Sequence, residues 1–162
     1  METTMLARKW KTVDGDRIPD ITASLTEACA GQRVVHIGTD SQQNAKTTEF
    51  VTVVVIHNPG KGGRAFWTVE STPRIKSLRE RLLKEVWLSV QLGLEMVDMI
   101  TEQSQLMVHV DANTDTKFKS SAYAKELAAM VVSQGFTALL KPEAWAATHA
   151  ADHVVKKKVI GR

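Results

Sequence analysis

The chain has a single cysteine, Cys29, so it can form no internal disulfide and offers no CxxC metal pattern. No apolar run approaches the ~20 residues that a membrane-spanning helix needs. The first residues, Met1 to Lys9, lack the apolar stretch of a secretion signal. These absences point to a protein of a reducing cytoplasm with no membrane partner. No internal repeat, low-complexity tract or domain linker interrupts the chain. The glycines of Asn58-Pro-Gly-Lys-Gly-Gly63 do not form GxxxxGK[ST], and no helical pattern follows them, so they read as a hairpin turn rather than a phosphate loop. The 162 residues suit one domain with a full core. A net charge of +3 permits nucleic-acid binding without demanding it.

Against this background the periodicity is readable. Residues 1–19 look like an irregular, partly basic lead-in, and residues 19–30 a short helix stopped by Gly31. Three strands follow, over 33–39, 49–57 (Phe-Val-Thr-Val-Val-Val-Ile at its centre) and 64–70. A long helix spans about 73–102, with Pro73 near its start. A strand over 105–110, a helix over 119–134 stopped at Gly135, a strand over 136–140 and a last helix from Pro142 complete the chain. A meander followed by βα units implies a mixed sheet with helices on both faces.

Two strands end in acids. Arg33-Val-Val-His-Ile-Gly-Thr-Asp40 and Leu106-Met-Val-His-Val-Asp111 each carry an apolar run to an aspartate. A carboxylate beside a sheet core is costly unless a cation meets it. Two of them at neighbouring strand ends make an oxygen-ligand site for a hard divalent ion. Glu85 and Asp152 add acids further along, and four such acids suggest metal-dependent phosphodiester chemistry.

The motifs Ile37-Gly-Thr-Asp-Ser-Gln42, His109-Val-Asp-Ala-Asn113, Lys141-Pro142 and Ala151-Asp152 resemble those of the YkuK-type predicted nucleases, a branch of the ribonuclease-H-like superfamily. The resemblance covers roughly residues 33–155. It implies an α/β fold with a five-stranded mixed sheet in the order 3-2-1-4-5, flanked by helices. Residues 1–31 would then be an N-terminal extension with a short helix, and 32–162 the ribonuclease-H-like domain. By position, Asp40 matches the superfamily's first-strand aspartate, Asp111 its fourth-strand aspartate and Asp152 the acid of the last helix. The remaining superfamily acid is a glutamate on the first long helix. Glu80, Glu85, Glu95 and Asp98 all lie there. At about 100° per residue, Leu78, Leu82, Ser89, Leu92 and Met96 define the inward stripe. Glu85 falls in its middle, whereas Glu80 and Asp98 fall opposite, so Glu85 is the expected ligand.

The expected metal set is therefore Asp40, Glu85, Asp111 and Asp152, holding Mg²⁺ or Mn²⁺, with Asp40 as the bridging ligand. Taken singly, each acid is more simply a cap or a surface charge. His149 precedes Asp152 by three residues, as in the His-x-x-Asp of some Holliday-junction resolvases, and is a candidate metal ligand or proton shuttle. His36, His109 and His153 are weaker candidates, and Ser41 and Cys29 have no recognisable base beside them. Arg74, Lys76, Arg79 and Lys119 would meet phosphates beside the acids. Trp67, Trp87 and Trp145 read as core or interface residues. The leading expectation is a metal-dependent nuclease acting on RNA, DNA or a hybrid. The alternatives are a catalytically silent nucleic-acid-binding or assembly protein and, less well supported, a phosphotransferase. Homo-oligomerisation stays open.

Overall fold

The computed structural model describes residues 4–101 and 105–145. β-branched and aromatic residues build two strands of twelve residues each, β4 (Thr47–Asn58) and β5 (Gly62–Pro73), paired along their whole length. Their turn has Pro59 second and Gly60 third with φ of +80°, and Lys61 N–H donates to Asn58 O, the pattern of a type II turn. On the other side of β4 lies β3 (Val34–Gln43), antiparallel to it. Then β6 (Gln105–Asn113) and β7 (Thr137–Lys141) follow in parallel. These five strands carry the expected order 3-2-1-4-5.

The sheet is larger than expected. Two short strands, β1 (Trp10–Thr12) and β2 (Arg17–Ile18), extend the β5 edge, giving seven strands among the described residues in the order β2-β1-β5-β4-β3-β6-β7. Residues 1–19 are thus not simply an irregular lead-in. Three- and two-residue strands are too short to show alternation, so only their pairing, such as Lys11 opposite Trp67, reveals them.

Helix α1 (Ile21–Ala28) starts at Asp20, whose side chain accepts from Ala23 N–H, and ends before Gly31, held at φ +90°. Helix α2 (Leu78–Met96) is shorter than the 73–102 span, because the Ser77 side chain caps Glu80 N–H and a 3-10 turn replaces the helix over Val97–Met99. Residues Lys119–Tyr123 form a 3-10 turn, and α3 (Ala124–Val132) follows. The three α-helices among the described residues contribute to cores on one face of the sheet. Ile21, Leu25, Leu88 and Leu92 pack with Val35, Ile37 and Val54, while Val86, Leu127 and Val131 pack with Val108 and Val110. Residues 142–145 are not helical, and the rest of the helix expected from Pro142 lies outside the described residues. No helix among the described residues is long and apolar enough to cross a membrane.

Candidate metal centre

Asp40 and Asp111 sit where two parallel strands part. The β3–β6 ladder ends at Gly38 opposite His109, and each aspartate follows by two residues. On its other side, β6 pairs Val110 with Leu140 and next Asn113 with Lys141, so Asp111 and Ala112 form a bulge. Bulges re-aim side chains and recur beside active sites.

Glu85 reaches the same place from α2. A buried hydroxyl cluster seats the helix: Thr39 Oγ1 lies 2.9 Å from Thr52 Oγ1 and 2.8 Å from Ser89 Oγ, one turn beyond Glu85. Glu85 is buried, 5% exposed, whereas Glu80 and Asp98 are exposed. Oxygens of Asp40, Glu85 and Asp111 all lie within 4.8 Å of one another.

The cluster is only partly satisfied. Ser41 Oγ donates to Glu85 Oε2 at 2.5 Å, and Ser41 N–H donates to Asp40 Oδ1 at 2.9 Å. Lys141 Nζ lies 2.5 Å from Asp111 Oδ1. Glu85 Oε1 is buried without a hydrogen-bond partner among the described residues. Burial, aided by the charges of Asp40 and Asp111, pushes the Glu85 carboxyl well above its usual range, against the pull of the Ser41 hydrogen bond and of Arg81. A buried carboxylate with an orphaned oxygen and two acidic neighbours is stable as an anion only beside a cation. An all-oxygen donor set suits a hard divalent ion such as Mg²⁺ or Mn²⁺.

The other expected site residues are distributed differently. Asp152 and His149 lie outside the described residues, as does His153. Arg74 and Lys76 are exposed between β5 and α2, and Arg74 Nη1 donates to Asn44 O at 2.5 Å. Arg79 forms an exposed ion pair with Glu126 on α3 at 2.5 Å. Lys119 is exposed at the start of its 3-10 turn. Trp67 is buried, but Trp87 and Trp145 are 47% and 44% exposed. Sequence reasoning passed over Ser41 and Lys141 as parts of the centre, and placed Arg81 only among the basic residues that could flank it. Arg81 had a usable signal, because it precedes Glu85 by one helical turn.

Nor did the sequence reveal that His36 and His109 meet. Trp145 N–H donates to His109 Nδ1 at 3.1 Å, which leaves the His109 proton on Nε2, 2.8 Å from His36 Nδ1. The Trp145 ring packs on both imidazoles, at 4.8 and 5.3 Å between centroids. Burial, with His36 beside it, lowers His109 to about 4, and burial with His57 lowers His36. The folded state thus prefers neutral imidazoles. Their contribution is complete above the unfolded histidine pKa of about 6.5 and is lost as pH falls toward about 4, on the order of 3 kcal/mol for His109. Glu85 has the opposite dependence, so wild type is best compared with His109→Gln, in which Glu85 is unchanged. Denaturant titrations in EDTA from pH 7 to 4 should show wild type losing more stability than the variant. Parallel losses in the two proteins would refute the neutral-pair assignment.

The chain matches the ribonuclease H-like family over residues 17–156. It belongs to that family. It is also 26% identical over 136 residues to the uncharacterized protein YkuK of Bacillus subtilis (strain 168), covering 76% of this chain and 79% of that protein. No solved structure matches the chain. Family membership agrees with the mixed sheet and with a cluster of acids at its centre.

Proposed function

We propose that this ribonuclease-H-like protein is a cytoplasmic, divalent-metal-dependent nuclease that hydrolyses phosphodiester bonds of RNA, DNA or a hybrid. The observation that carries the reading is the convergence of Asp40, Asp111 and the buried, half-satisfied Glu85. A catalytically silent binding protein gains nothing from burying a carboxylate that repels phosphate. Asp40, Glu85 and Asp111 would hold Mg²⁺ or Mn²⁺, with Asp152 as a fourth ligand and His149 as ligand or proton carrier. The chemistry such an ion would supply there is activation of a water and charge stabilisation at the leaving oxygen. Ser41 orients Glu85 by fixing Oε2, which leaves Oε1 without a partner among the described residues. Arg74, Lys76, Arg79 and Lys119 bind backbone phosphates. The exposed Arg79–Glu126 pair is weak enough to yield to one.

The test is incubation with labelled RNA, DNA, hybrid and branched substrates in Mg²⁺, Mn²⁺ or EDTA. Cleavage of at least one substrate is expected with metal and none in EDTA. Affinity for a cleavage-blocked substrate should fall with salt, with a log–log slope of about −0.9 per neutralised phosphate on duplex DNA and about −0.7 on single strands. Absence of both cleavage and binding at low salt, with Mn²⁺ present, would leave an assembly role as the better reading.

A further inference from the structure

We propose that Lys141 is a tethered counter-ion of the acid cluster: it competes with the divalent ion for Asp111 and, once displaced, meets a substrate phosphate. This rests on the nuclease reading above. Three carboxylates within 4.8 Å repel one another. Among the described residues, the ion pair made with this triad comes from Lys141, with Nζ 2.5 Å from Asp111 Oδ1. The pair is partly shielded, the two side chains being 34% and 19% exposed.

The backbone creates this pairing. The bulge at Asp111 and Ala112 shifts the β6–β7 register just where Lys141 ends β7, which puts the lysine alongside the aspartate. Arg81 also favours a charged Glu85, yet it makes no ion pair with the triad among the described residues. An ammonium is a compact cation on a flexible four-carbon stem, able to leave one oxygen anion and reach another nearby. A metal ligand must offer its charge to the metal, so the lysine and the ion contend for the Asp111 carboxylate. With the metal in place, the ammonium remains at the edge of the centre, where a nucleic-acid backbone brings negative charge.

The test measures Mn²⁺ binding by calorimetry in wild type, Lys141→Met and Lys141→Arg. Loss of the competing charge should tighten Mn²⁺ binding by about fivefold in Lys141→Met, the scale of a partly exposed ion pair. Lys141→Arg, which keeps the charge, should stay near wild type. In saturating Mn²⁺, Lys141→Met should bind a cleavage-blocked oligonucleotide more weakly, and its salt slope should shrink by about one phosphate's worth. Lys141→Gln replaces the methionine variant if that variant fails to fold by circular dichroism. If wild type binds Mn²⁺ and the uncharged variant binds it no tighter, Lys141 is not a competitor and this inference falls while the nuclease reading stands. If neither protein binds Mn²⁺, both fall together.

Discussion

Asp40→Asn is expected to abolish metal-dependent cleavage while leaving the fold intact. The change preserves shape and keeps an oxygen that can accept the Ser41 N–H, now 2.9 Å from Asp40 Oδ1. It removes one negative charge from a residue proposed to hold the metal. The several kcal/mol that a metal-held charge arrangement supplies would be lost, which means a rate reduced by roughly a thousandfold or more. Thermal stability in EDTA should be unchanged or higher, because the remaining carboxylates repel one fewer neighbour. Single-turnover rates with Mn²⁺, alongside melting curves in EDTA, read both halves of this expectation. Undiminished hydrolysis would refute the role of Asp40. A large fall in melting temperature would mean that the aspartate is chiefly structural.

Glu85→Gln should uncouple stability from metal. The folded protein holds this carboxyl above its usual range, chiefly by burial. For a group raised in the folded state, the stabilising contribution is present below the unfolded carboxylate pKa, about 4.3, and is lost as pH rises through the folded value. In EDTA, therefore, wild type and Glu85→Gln should have similar stability near pH 5, and the variant should become the more stable as pH increases. The gain is on the order of 1–3 kcal/mol, the cost of leaving a buried polar group unsatisfied. Adding Mn²⁺ at pH 8 should reverse the order, since wild type gains the linkage free energy of a bound ion. A variant less stable than wild type in EDTA at pH 8 would show that Glu85 is satisfied as an anion by the protein alone.

The strand and helix pattern was legible because each segment encodes it locally. β4 is readable from its β-branched run, and α1 from its stop at Gly31. The inward position of Glu85 follows from the helical phase of Leu82, Ser89 and Leu92, which are buried on the same face. The ends of elements were less legible. The Ser77 cap and the 3-10 turn over Val97–Met99 trimmed α2 inside the expected span, because capping competes with helix propensity over only a few residues. The edge strands β1 and β2 were invisible for a similar reason: too few residues to show a period.

Composition, periodicity and motif spacing determined a mixed α/β sheet, the inward acid of α2 and a family resemblance, all of which follow from side chains read along one segment at a time. The inner strand order came only as what that resemblance implies. The tertiary structure alone decided which side chains from distant segments share a site. Ser41 meets Glu85 across 44 residues, and His36 meets His109 across 73. Lys141 reaches Asp111 through the β6 bulge and the shifted register beside it. Register depends on how two strands settle against a common core, and a single bulge changes which residues face each other. Neither is a property of either strand by itself.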